Sequence, residues 1–214
     1  IYTNFLKSSK FDIEAQLINN YGKIESSKKL FTLSKNLKSI YPINFNNFFK
    51  FNYSERKTYF IRLILKSKSR IPSRFKVGYN LVKNKNQPST NICFNSLLPN
   101  LKFLKKPGTF KWGAIINPAT SVICLHNVNF LKNSFREARI SMKIWNKEDK
   151  RYLEKKLTIK DNGNLFIKFS NDKKIKSFLK NKTGWAAFES DNPFLNGFYF
   201  DIKKNGSVSG DHLF

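Results

Sequence analysis

The chain has 214 residues, with 40 Lys+Arg against 14 Asp+Glu for a formal net charge of +26, and its pI is near 10.1. Hydrophobic residues make up 40% and aromatics 15%, with 22 Phe, too apolar for a disordered basic tail and enough for one large core or two small ones. No stretch approaches the ~18 uncharged apolar residues of a membrane-spanning helix.

Lys, Asn, Ile and Phe are all heavily used, as AT-rich coding produces without selection for binding. Arg is scarce beside Lys, whereas phosphate readers favour Arg forks. A field of this strength nevertheless attracts polyanions. The sequence begins at Ile1 without Met, and the expectation is a processed or cut end with further chain upstream.

In chain order, the first feature is a repeat. Asn4-Phe5-Leu6-Lys7 recurs as Asn129-Phe130-Leu131-Lys132. Further matches follow in the same order: Ile18 and Asn20 with Ile144 and Asn146, Thr32-Leu33 and Asn36 with Thr158-Ile159 and Asn162, and Lys57-Thr58 with Lys182-Thr183. Ile92-Cys93-Phe94 then aligns with His212-Leu213-Phe214. The expected fold is all-β, two tandem β-sandwich-like modules produced by an internal duplication. Module one is placed at 1–97, a linker at 98–108 between Pro99 and Pro107-Gly108, and module two at 109–214. The counterpart of the predicted strand Trp112–Ile116 falls before Ile1, so the first module is expected to lack its N-terminal strand or strands.

Within the first module, Tyr59–Leu65 is an apolar strand followed by Lys66, Lys68, Arg70 and Arg74, with Phe75 and Tyr79 close by. Cations interleaved with rings suit a polyanion, the charge tracking the chain and the rings stacking on it. The competing reading is a solvated edge strand loaded with Lys against sheet-to-sheet pairing. Residues 1–97 hold 18 Lys+Arg and 4 acids, and residues 109–214 hold 19 and 10. Ile64 and Lys66 correspond to Glu189 and Asp191 under the duplication, which suggests charge pairing from module to module.

The second module shows its strands more clearly. Trp112–Ile116 ends at the turn dipeptide Asn117-Pro118, and Ser121–Val128 follows as a β-branched run. Arg136–Trp145 alternates, with Ala138, Ile140, Met142 and Ile144 on one side and Glu137, Arg139, Ser141 and Lys143 on the other, the period of a half-buried strand. Lys147 to Lys150 reads as a hairpin tip, and Tyr152–Ile159 returns to the turn Asp161-Asn162-Gly163. Leu165, Ile167 and Phe169 restart the alternation. Asp172–Lys180 has Ile175, Phe178 and Leu179 at helical spacing, and strands at Trp185–Phe188, Phe198–Ile202 and Val208–Phe214 complete the set. Short strands with frequent turn signals read as a sandwich, and the strand–helix alternation of a parallel sheet is absent.

Catalytic material is thin. Neither His126 nor His212 has metal-ligand spacing to other His or Cys, and His126 reads as a surface or satisfied residue at a strand end. Asp211 and His212 are strand neighbours, expected on opposite faces and so unable to form a dyad without a bulge. Glu189, Asp191 and Asp201 are the one carboxylate grouping, and Glu189–Pro193 reads as a strand entering a turn. Asn52-Tyr53-Ser54 is a glycosylation triplet, meaningful only on an exported protein. Cys93 and Cys124 fall at different places in the two modules, which predicts two buried thiols rather than a disulfide.

The reading is of a non-catalytic binding or structural protein that needs no cofactor, part of a longer multi-module surface protein. It contacts an acidic polymer, glycan preferred, or its own copies through a basic face. The alternatives are an RNA-associated or ribosomal component of an organelle or bacterium, and a metal-independent nuclease using His212. The compartment is not fixed by the sequence, though a surface or extracellular setting suits the modules.

Overall fold

A computed structural model describes residues 10–33, 41–51, 57–68, 77–81, 90–94, 110–127, 137–148, 151–192 and 195–213. The fold is all-β, as expected. Its strands are β1 (Phe11–Asn19), β2 (Ile24–Leu33), β3 (Tyr59–Lys66), β4 (Val77–Leu81), β5 (Thr90–Phe94), β6 (Phe110–Ile116) and β7 (Ser121–Asn127). They continue as β8 (Ala138–Trp145), β9 (Tyr152–Ile159), β10 (Asn164–Lys168), β11 (Gly184–Ser190), β12 (Leu195–Ile202) and β13 (Val208–Leu213), with a short helix α1 (Lys173–Phe178) before β11. All pairings among them are antiparallel.

The second half is a sandwich of two four-stranded sheets, ordered β6-β11-β8-β9 and β10-β7-β12-β13. The alternation in β8 is realised as expected: Ala138, Ile140, Met142 and Ile144 are buried, and the residues between them are not. They meet Ala186 and Phe188 of β11 and, from the opposite sheet, Ile123, Leu125 and Leu195. Each such side chain contributes about 1.5–3 kcal/mol when fully removed from water. Phe169, Ile175 and Leu179 join the same core. Phe169 is not the last residue of β10 but opens a single 3-10 turn, and α1 follows with Asp172 as its N-cap, accepting from Ile175 N at 3.1 Å. Burial pushes the Asp172 carboxyl up, but hydrogen bonds from Lys155 and from backbone N–H groups outweigh it and hold the group below its ordinary value.

The first half forms a three-stranded sheet, β2-β1-β3, and a separate hairpin, β4-β5, with β5 lying near β13. One face of the sheet buries Phe11, Ile13, Ala15, Leu17 and Leu33. These pack with Phe49 and with half-buried Tyr59, Ile61, Leu63 and Leu65 in two small clusters.

This sheet matches β9-β8-β11 in strand order. In register, β1-β3 matches β8-β11, whereas β1-β2 matches β8-β9 only as far as Ile13, beyond which the pairing of β2 shifts. Phe11 faces Leu33 as Ala138 faces Ile159, and Ile13 faces Phe31 as Ile140 faces Leu157. Ala15 faces Leu63 as Met142 faces Phe188. A 3-10 turn, Phe45–Asn47, follows β2 as Phe169–Asn171 follows the β9-β10 hairpin. The register corrects one alignment made on the sequence. Ile18 does not correspond to Ile144, because the inward residues of β1 and β8 then fall out of phase; Leu17 takes that place and Ile18 matches Trp145. A slip of one residue moves every side chain to the other face.

The outer face of the first sheet docks on the sheet β10-β7-β12-β13. Phe60 stacks on His126 at 4.4 Å between ring centroids, and His126 lies 5.9 Å from Phe198 on its other neighbour. Arg62 donates to Asn162 Oδ1, and Thr58 donates to Asn164 Oδ1 at 2.6 Å. At the turn between β1 and β2, Gly22 has φ +84°, and a Cβ there would sit 2.1 Å from the Asp161 carbonyl oxygen, so only glycine fits. Coverage on both faces accounts for β7, where six of seven residues are buried. Its β-branched run is what a doubly covered strand requires.

Candidate functional site

The open surface of the second half is the outer face of β6-β11-β8-β9, and strand pairing arranges it in rows. Ile115, Trp185, Trp145 and Tyr152 are successive cross-strand partners and form one row across four strands. Trp145 and Tyr152 are 5.6 Å apart between centroids. A Cβ on Gly113 would lie 2.4 Å from Trp185 Cζ2, so the indole rests across this glycine. Ile115 is 65% exposed, Trp185 47% and Tyr152 48%. The next row is Gly113, Ala187, Lys143 and Glu154, and the one after is Lys111, Glu189, Ser141 and Lys156. Lys143 lies over the Tyr152 ring at 5.5 Å. Glu189 is 3.6 Å from Lys111 and 3.9 Å from Lys143. A shallow groove of about 530 Å³ runs past Lys111, Arg139, Lys156, Glu189 and Asp191.

Beside the aromatic row is a lysine-rich end. The helix α1 carries Lys173, Lys174 and Lys176, the loop after it carries Lys180 and Lys182, and the β8-β9 turn adds Lys147. All but Lys176 are exposed. Asn146 Nδ2 donates to the Phe178 carbonyl at 3.2 Å, tying the turn to the helix. Glu148 accepts from Lys182 at 2.6 Å and from Lys180 at 3.1 Å, and these hydrogen bonds lower its carboxyl to about 2.

The basic cluster expected after β3 is only partly within the described residues. Lys66 ends β3 and is paired with Glu14, whose carboxyl is lowered chiefly by that hydrogen bond. Lys68 is exposed just beyond it. Tyr79 lies on β4, where the backbone is described, and Arg70, Arg74 and Phe75 lie outside the described residues, as do the linker 98–108 and the Asn52 triplet.

Several other expectations change. His126 is not on the surface: it is 6% exposed between the two halves, and burial, with the Arg62 charge beside it, pushes its imidazole down to about 3. Asp211 and His212 do approach, Nδ1 to Oδ1 at 2.7 Å, because the carboxylate turns along the strand to accept from the His212 N–H at 2.8 Å. The carboxylates do not converge: Glu189 is on β11, whereas Asp201 is on β12 of the opposite sheet, bonded to Thr120. Glu189 meets lysines of its own sheet instead of the other module. Cys124 is a free, partly buried thiol that burial raises to about 12, and Cys93 sits on β5.

The aromatic row and the lysine end were missed in the sequence. The signal was present, since Trp145 continues the polar series Arg139, Ser141, Lys143, and a tryptophan on the polar side of a strand marks an open platform. No protein-family model, curated protein or solved structure matches the chain.

Proposed function

We propose that this chain is a non-catalytic binding protein built by duplication of one β-module, and that its lysine-rich end holds an acidic polymer, an acidic glycan in preference to RNA. The duplication is supported by the shared strand order of β2-β1-β3 and β9-β8-β11 and by the shared register of β1-β3 and β8-β11. The observation that carries the polymer reading is the gathering of Lys147, Lys173, Lys174, Lys176, Lys180 and Lys182 around one turn and one helix, with Glu148 bound among them. Lysine ammonium groups act as point charges suited to scattered carboxylates or sulfates, and the planar forks that read phosphodiesters are few here. Such a module suits a multi-module surface protein, with residues 98–108 as its linker.

The test is binding of polygalacturonate, heparin and poly(U) by the whole chain across salt. Affinity for the two glycans should fall about tenfold or more between roughly 50 and 200 mM salt. Lys173→Glu with Lys174→Glu should lower it at least about tenfold while leaving the helix intact, because acids are favourable in a first helical turn. No glycan binding at low salt, or binding indifferent to the double reversal, contradicts the reading. Tighter binding of poly(U) than of either glycan replaces it with the RNA reading.

A further inference from the structure

The two matching sheets differ in how many strands flank their counterpart strands. In the second half β11 has a neighbour on each side, β8 and, along its whole length from Gly184 to Ser190, β6. Its counterpart β3 pairs, among the described residues, with β1 alone. The burial differs in the same sense. Ala186, Phe188 and Ser190 of β11 are buried, whereas Ile61, Leu63 and Leu65, which hold their places in β3, are half-buried.

A bare sheet edge accepts another strand unless something blunts it. The opposite edge of this sheet is blunted: β2 pairs with two shifts of register and exposes Lys28 and Lys29. By contrast, β3 pairs with β1 without a shift from Tyr59 to Lys66, and its mid-strand charge, Arg62, is engaged with Asn162 of the second half. We propose that the free edge of β3 accepts an extended, apolar segment of a separate polypeptide, which adds antiparallel as β6 does to β11. The shared register of β1-β3 and β8-β11 carries the β6 pairing over to β3. Phe110, Trp112 and Ala114 stand opposite Ser190, Phe188 and Ala186, so the matching places on the segment stand opposite Leu65, Leu63 and Ile61. Apolar side chains at these alternate positions extend the half-buried core. The place of Gly113 falls opposite Arg62, where a small residue leaves the contact with Asn162 undisturbed. The inference goes beyond the polymer reading and rests on other residues.

The probe is a synthetic peptide with the β6 sequence, Phe110–Ile116, and added terminal lysines, titrated into the whole chain. So short a strand buries little area, and its binding is to be sought from about 1 µM to 1 mM. Hydrogen exchange should slow at Tyr59–Lys66 when the peptide is present. In an antiparallel pair, alternate residues turn their N–H groups to the partner. N-methylation of one alternate set of the peptide (Phe110, Trp112, Ala114 and Ile116, or Lys111, Gly113 and Ile115) should therefore weaken binding about tenfold or more, and that of the other set should not. Trp112→Glu in the peptide, which sets a carboxylate against Leu63, should weaken binding by a similar factor. No slowed exchange at about 1 mM peptide, slowing confined to another strand, or equal binding by the two methylated peptides overturns the inference and leaves the polymer reading untouched.

Discussion

The sheets β2-β1-β3 and β9-β8-β11 share strand order, and β1-β3 shares its register with β8-β11, but the two sheets differ in what each face meets. On the inner side, the second half closes its sandwich with a second four-stranded sheet and buries Met142, Ile144 and Phe188 to 1% exposure or less. Ala15 and Leu17, the counterparts of Met142 and Ile144, are buried as well, whereas Leu63, the counterpart of Phe188, stays half-buried in a small cluster. On the outer side the relation reverses: Ile18 and Phe60 of the first half are covered, though Ile24 beside Ile18 is exposed, and the second half's row is open. The same framework thus supports a self-sufficient core in one half and a docking element in the other. The sequence difference lies in a few side chains, Ile and Phe where the open row has two tryptophans.

The largest effect should come from the core difference. Phe188→Ala should cost about 3–5 kcal/mol, and Leu63→Ala at the equivalent place about half as much or less, in chemical denaturation. Equal costs would mean that the two cores are equally deep. Next is the contact between halves. Gly22→Ala should cost about 1–3 kcal/mol, from the positive φ and the close Asp161 carbonyl. Calorimetry should place that loss on the first sheet, leaving the transition of the second sandwich in place; a neutral substitution would show that this turn does not seat against Asp161.

The smallest effect per step is in pH. With its imidazole at about 3 in the fold, His126 stays neutral where the unfolded chain takes up a proton, near the ordinary value of about 6.5. Stability from this group is full above about pH 6.5 and falls as pH drops toward about 3, by up to about 1.4 kcal/mol per pH unit. His126→Phe should flatten the slope between about pH 6.5 and 4.5, above the range where the carboxylates respond. An unchanged slope in that variant would assign the acid sensitivity elsewhere.

Strands were legible wherever a local pattern sufficed. The alternation of β8, the turns at Asn117-Pro118 and Asp161-Asn162-Gly163, and the helical spacing of Ile175 and Leu179 were all read correctly from neighbours in sequence. Sheet order and docking were not legible, because they depend on contacts a hundred residues apart, such as Arg62 with Asn162. His126 illustrates the limit. Its burial comes from Phe60 in the other half, and nothing in Cys124-Leu125-His126-Asn127 announces it. The repeated tetrapeptide, Asn4–Lys7 and Asn129–Lys132, lies outside the described residues, and an identity such as Ile18 with Ile144 sets the phase of the two strands wrongly, since a residue match carries no information about which face it occupies.

The claim that the first sheet closes over His126 can be measured directly by following the imidazole proton resonances of the two histidines from pH 8 to 4. With the halves docked, the His126 signals should stay constant across that range. A titration of His126 near 6.5 would show its ring open to water and would contradict the docking of Ile18 and Phe60 on the second half.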